Sequence, residues 1–184
     1  MTVRELEISG VLLLVPEPVR DERGFFARTW DAADVAGIDG FVQQSVAFND
    51  RAGTVRGLHL AAAPAAEVKA VRCLRGAIYD VVVDVRFGSG TFGRHVGVRL
   101  DANDRNVLVV PRGCAHGYQT LVDGTEVQYD ISEPFRSELA AGCAHDDPAL
   151  KIAWPLAVSV ISERDAALPS FAELAAAERG ARVG

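Results

Sequence analysis

Between Val42 and Glu126 the chain is a succession of short runs rich in β-branched residues, each closed by Gly, Pro, Asp or Asn. Runs of this kind bounded by turn formers commit the middle of the protein to antiparallel strands in a sandwich or barrel. The clearest are Ala77–Arg86 (AIYDVVVDVR), Gly93–Leu100 (GRHVGVRL), Asn106–Pro111 (NVLVVP) and Thr125–Ser132 (TEVQYDIS). In HVGVRL and VQYDI apolar and polar residues alternate. One face of each strand then packs on a core, and the other is free to line a cavity or meet solvent.

Helical periodicity is confined to the edges of this β region. Thr29–Gly37 (TWDAADVAG) predicts one short helix, and Ser170–Ala181 (SFAELAAAERGA) predicts another, with Ser170 as its cap. Asp146–Pro155 holds two prolines around a short apolar segment and reads as a loop with a brief turn. No repeat, low-complexity tract or linker divides the chain. At 184 residues it is long enough for one core and short for two, so a single domain over residues 1–184 is expected.

The charge balance narrows the function classes. With 19 Lys+Arg against 25 Asp+Glu, a formal charge of -6 opposes non-specific binding to nucleic acid or anionic membranes, yet allows a local arginine cluster for a small anion. The apolar stretch Val11 to Val15 is too short to span a membrane and lacks a signal-peptide layout, so cytoplasmic residence is the expectation. Cys73, Cys114 and Cys143 are an odd set that reads as free structural thiols rather than nucleophiles.

Two clusters stand out among the β runs. In Gly53–Gly76 (GTVRGLHLAAAPAAEVKAVRCLRG), a regular strand puts Arg56 and Leu58 on one face and Val55, Gly57 and His59 on the other. Lys69 returns on the next strand after a loop containing Pro64, so a His and a Lys can share one cavity. In Val109–Thr120 (VVPRGCAHGYQT), Pro111, Gly113 and His116 form a P-x-G-x-x-H turn between strands.

These clusters resemble the two motifs of the cupin superfamily, a mainly β double-stranded β-helix or jelly-roll barrel. Metal-binding cupins have H-x-H in the first motif, whereas Ala61 stands at the second position here, which leaves only His59, Glu67 and His116 as possible ligands. No metal and no cofactor are expected. A narrower resemblance covers nearly the whole chain in order: DERGFF, TVRGLH, EVKAVRCLRGAIYDVVVDVR, TFGRHVGVRL, VPRGCAHGYQTL, EVQY, DDPALKIAWP and ISERD look like the dTDP-4-dehydrorhamnose 3,5-epimerase family. Each string is weak alone, and their ordered co-occurrence is specific.

That resemblance implies an enzyme that takes a nucleoside-diphospho-4-keto-6-deoxyhexose and inverts carbons beside the ketone. It assigns His59 as base, Asp165 as the carboxylate paired with it, Lys69 as the cation beside the enolate oxygen and Tyr129 as the acid. Arg23, Phe26, Arg56 and His116 match positions lining the same pocket. The resemblance also implies a homodimer in which an N-terminal strand exchanges between subunits. The residue types suit the chemistry. Inversion next to a carbonyl needs a base, an electrophile for the charge that moves to oxygen, and an acid on the opposite face.

Blander assignments exist for each residue. His59 and Tyr129 can be hydrogen-bonded core groups, Lys69 and the arginines surface charges, Asp165 a cap of the final helix and His116 a tie for its turn. His95 and His145 read as exposed. The sequence departs from many relatives at Arg28, where they carry an acid that recognises the pyrimidine. It departs again at Ser45, Ala47, Leu60 and Ala61, and at His145, where Trp is usual before DDP. This pattern reads as a shifted substrate, a deoxysugar of a secondary metabolite or surface polysaccharide. The rival readings are a metal-dependent cupin oxygenase or isomerase, marked by stoichiometric Fe, Mn or Zn, and an inactive sugar-nucleotide binding module.

Overall fold

The computed structural model describes residues 1–35, 38, 40–62 and 66–181. Among the described residues thirteen strands, numbered in chain order, form two large antiparallel sheets and one hairpin. The larger sheet runs β1 (Thr2–Glu5), β2 (Leu12–Val15), β10 (Val107–Val110), β7 (Lys69–Arg75), β12 (Thr125–Ile131) and β5 (Gln43–Asn49). The smaller runs β13 (Ala140–Gly142), β6 (Val55–Ala61), β11 (Cys114–Thr120), β8 (Ala77–Asp84) and β9 (His95–Asp101). Faced together they make the jelly-roll barrel of the cupins, with two short helices at one side.

Period-2 alternation builds the core between the sheets. Val71 and Cys73 of β7, Ile78 and Val82 of β8, and Val127 of β12 point into one buried cluster with Leu100, Leu108 and Tyr118. The alternate residues Val81 and Val83 of β8 face outward and are equally buried, because Phe171 and Leu174 of the C-terminal helix cover them together with Leu58 and Leu60. Each such buried side chain contributes about 1.5–3 kcal/mol relative to exposure. The inward face of β7 continues from Cys73 and Val71 to Lys69, and that of β12 from Val127 to Tyr129. The strands that build the core therefore also carry polar groups into the cavity.

Strand β8 stops at Asp84, two residues before the sequence pattern ends. The fully buried Asp84 carboxylate accepts from Arg86 Nε at 2.8 Å, from Ser89 Oγ at 2.5 Å and from Thr91 Oγ1 at 2.6 Å, which turns the chain back on itself. Burial alone would raise this carboxyl's pKa, but the bonds from Arg86, Ser89 and Thr91 outweigh it and hold the group below the usual carboxylate range.

The C-terminal helix α2 (Phe171–Ala181) forms where its pattern predicts, and Ser170 with Glu173 closes a capping box: Ser170 N–H donates to Glu173 Oε2 at 2.8 Å and Glu173 N–H to Ser170 Oγ at 3.3 Å. The helix expected over Thr29–Gly37 does not form among its described residues. Asp31 Oδ1 accepts from Ala33 N–H at 3.0 Å and its carbonyl from Asp34 N–H, a local turn that competes with helix. Trp30 packs edge-on against Phe41 at 4.7 Å. Ala36 and Gly37, like Pro64 in the β6–β7 connection, lie outside the described residues. Asp146–Pro155 is a loop with turns, as its prolines indicate.

Strands β3 (Val19–Asp21) and β4 (Gly24–Phe26) form a separate hairpin with every residue exposed. Cys73, Cys114 and Cys143 are free and buried. His145 is not exposed: its side chain is only 13% accessible, its ring lies 6.3 Å from Trp154, and its carbonyl accepts from Trp154 Nε1 at 2.9 Å. His95 is half-buried on β9. No helix among the described residues is long and apolar enough to cross a membrane.

Candidate active site

A cavity of about 230 Å³ opens between the two sheets. The smaller sheet supplies His59 and His116, the larger supplies Lys69, Tyr129 and Ser45, and Arg164 closes one side. His59 and Tyr129 thus stand on different sheets across one pocket.

Arg56 and His59 both line this cavity, although strict alternation would separate them. The β6–β11 ladder changes register, pairing His116 with His59 but Tyr118 with Arg56, so one extra residue of β6 is accommodated between them. Gly57 sits at that point with φ of 116°, and a Cβ there would lie 2.6 Å from Gly117 Cα and 2.7 Å from the His116 carbonyl oxygen. Only glycine fits. The bulge sends Leu58 and Leu60 toward the outer core and turns His59 inward beside Arg56.

His59 Nε2 lies 2.8 Å from Asp165 Oδ1. The carboxylate can only accept here, so Nε2 carries the proton and Nδ1 is the basic nitrogen of the neutral ring. Asp165 is buried, and its Oδ2 accepts from Gly57 N–H at 3.0 Å, so both oxygens are committed. Burial lowers the His59 pKa below the ordinary imidazole value; Asp165 pulls it back up, while Lys69 and His116 push it down. Near neutral pH the ring is a neutral base. Asp165 belongs to the short helix α1 (Glu163–Ala166), whose cap is Ser162, accepting from Asp165 N–H at 3.1 Å. The SERD string therefore caps this turn through its serine and spends its aspartate on the histidine.

Tyr129 is held protonated. Burial pushes its pKa well above the usual phenol value, and the neighbouring Tyr118 and Asp80 add to this, opposed by Arg56. Its ring lies 6.0 Å from that of His116 and 6.4 Å from that of Tyr118. His116 does more than tie a turn: it sits within β11, buried, with Nε2 2.5 Å from Asp80 Oδ1. Lys69 Nζ lies 2.9 Å from Glu67 Oε1. Arg56 is braced by Asn49 Oδ1 at 2.8 Å and by the Phe48 carbonyl.

The three residues left for a metal by the missing second histidine all line the cavity, yet His59 is engaged by Asp165, Glu67 by Lys69 and His116 by Asp80. Among the described residues no three His, Cys, Asp or Glu side chains come together as a metal site. Arg23 and Phe26 do not line the cavity of their own chain: both are on the exposed hairpin, where Arg23 pairs with Asp21. Arg28 likewise lies outside, paired with Asp31 at 2.7 Å. Several lining residues went unread in the sequence, among them Arg164, Arg136 and Phe135. Arg164 had a signal, its place beside Asp165; the other two lie in a loop with none.

Fold and cavity together define a class: a cupin-type barrel that holds a His–Asp pair and a buried tyrosine on the two walls of one pocket. The family model described as dTDP-4-dehydrorhamnose 3,5-epimerase matches residues 5–173, and the chain belongs to that family. It is 41% identical over 179 residues to a dTDP-4-dehydrorhamnose 3,5-epimerase of Sinorhizobium fredii, covering 95% of this chain and 91% of the relative. Among solved structures it is similar to the Bacillus anthracis dTDP-4-dehydrorhamnose 3,5-epimerase with TDP and pyrophosphate bound, at 37% identity and a TM-score of 0.87 over 92% of this chain and 98% of that one. It also resembles NovW, a 4-keto-6-deoxy sugar epimerase from the novobiocin gene cluster of Streptomyces spheroides. The identity there is 34% and the TM-score 0.90, over 98% and 92% of the two chains.

Proposed function

We propose that this enzyme inverts C5, C3 or both in a dTDP-4-keto-6-deoxyhexose, by removing a proton on one face and returning one on the other. The observation that carries this reading is the placement of a neutral His59, paired with Asp165, on one sheet and a protonated Tyr129 on the facing sheet. Nδ1 of His59 takes the hydrogen beside the C4 ketone, and the C–H electron pair moves through the new C–C double bond to the ketone oxygen. Lys69 donates to that oxygen. As the enolate collapses, Tyr129 protonates the same carbon from the opposite face. Asp165 stabilises the imidazolium formed in the first step, as the carboxylate of a His–Asp pair does in hydrolases. The acidity comes from the substrate's own ketone, so the steps require no metal or cofactor.

Arg56 and Arg164 on the cavity wall and Arg136 at its edge give an otherwise acidic protein the local positive charge that a diphosphate needs. Arg23 and Phe26 fit the pocket of a neighbouring subunit, with the exposed β3–β4 hairpin exchanged in a homodimer. The departures at Ser45 and Ala61 lie on the cavity wall, which supports a sugar different from that of many relatives, whereas the Leu60 side chain packs in the outer core. Three buried free cysteines accord with a reducing, cytoplasmic setting.

The test is proton NMR of dTDP-4-keto-6-deoxyglucose in deuterated water with wild-type protein and with His59→Ala. Loss of the C3 or C5 signal that requires His59 supports the mechanism and names the centres. A bound substrate that exchanges neither proton would sink it for this sugar.

A further inference from the structure

Glu67 lines the cavity beside Lys69 and has no part in the steps above. The two residues are i and i+2 in the extended segment entering β7, hence on one side of the chain. Oε1 lies 2.9 Å from Nζ, with the side chains only 15% and 11% accessible. An ion pair withdrawn this far from water is kept because each partner compensates the desolvation of the other. The pair shares the cavity wall with His59 and His116 on the facing sheet and with Tyr129 on its own, with Arg56 also on the wall and Asp80 bonded to His116.

From this geometry, and resting on the epimerase reading above, we propose that Glu67 is a positioning residue for the reaction, acting through Lys69. The ammonium has three donors on a flexible four-carbon stem. Glu67 fixes one of them and so aims the remaining two at the oxygen where the enolate charge collects. The arrangement exchanges field for placement. A carboxylate next to the ammonium weakens its long-range attraction, so Lys69 must act through a direct, well-aimed hydrogen bond rather than as a distant charge. Placement is the larger effect, since an error of about 1 Å in a reacting geometry costs on the order of 100-fold in rate.

The experiment measures kcat and KM for solvent deuterium incorporation by wild type, Glu67→Ala, Glu67→Gln, Lys69→Met and the double variant Glu67→Ala/Lys69→Met. Glu67→Ala should lower kcat by roughly 10- to 100-fold with little change in KM. Glu67→Gln, whose amide oxygen still accepts from Nζ, should recover most of that loss. In the Lys69→Met background Glu67→Ala should cost nothing further, because its effect runs through the lysine. Wild-type kcat in Glu67→Ala, or the same loss with and without Lys69, overturns the proposal. If Glu67→Ala does not fold, Glu67→Leu takes its place in the cycle, keeping bulk without an acceptor. Wild-type protein that exchanges no proton means the epimerase reading has failed; wild-type exchange with an indifferent Glu67→Ala removes the positioning role alone.

Discussion

His59 is one imidazole under four influences, and their signs can be separated. Burial, Lys69 and His116 lower its pKa, and Asp165 raises it. As the proposed base it would act in the neutral form, so kcat/KM should rise with pH through a value below that of free imidazole. Asp165→Asn removes the upward influence, and the acidic limb of the profile should move to lower pH. The plateau should drop by roughly 10²–10⁴, because the amide neither stabilises the imidazolium nor enforces the tautomer. A pH series on both proteins checks this, and a limb that stays in place or moves upward assigns it to another group. Tyr129, the proposed acid, is shifted in the reverse sense: burial keeps its proton on, as that role requires.

At the scale of elements, the decisive feature is the bulge where β6 meets β11. It accommodates one extra residue, and without it Arg56 and His59 would face opposite ways. Gly57 and Gly117 allow the close approach: Gly57 has a backbone conformation other residues rarely adopt, and a side chain on Gly117 would meet the Arg56 carbonyl at 2.7 Å. Gly57→Ala should therefore cost roughly 1–3 kcal/mol from the backbone alone. It should also displace the N–H that holds Asp165 Oδ2. Urea unfolding reads the first effect as a lower midpoint and deuterium exchange reads the second as lost turnover; an unchanged midpoint would show that the ladder relaxes around the methyl. The helix that does not form among the described residues of Thr29–Gly37 has the same cause on a smaller scale. Asp31, a neutral residue for the apolar pattern, uses its side chain to cap a turn, and the pattern has no way to weigh that bond.

For the whole molecule, the β3–β4 hairpin is the part that a single chain leaves unexplained. Its six strand residues are exposed, Phe26 is 78% accessible, and Arg23 pairs with Asp21 beside it in the same hairpin. If the hairpin is exchanged between subunits, a mixture of two crippled proteins should recover activity. In a heterodimer of Arg23→Ala and His59→Ala, one pocket regains both native residues, and random reassortment restores about a quarter of wild-type turnover. Mixing after reversible dissociation, followed by the NMR exchange assay, measures this. A mixture no more active than the average of its parts would place Arg23 outside the neighbouring pocket.

The sequence by itself determined the β architecture, the C-terminal helix with its Ser170 cap, and the polar strands that carry His59, Lys69 and Tyr129. These are readable because side-chain alternation, turn chemistry and capping are decided within a few residues. Tertiary structure decided which of those groups meet. Asp165 reaches His59 across 106 positions of chain, and Asp80 reaches His116 because β8 and β11 pair in that register. Arg56 joins them through a bulge that exists only once two strands are aligned. Those outcomes depend on the register between distant strands, a property of pairs of segments that no single stretch of residues contains.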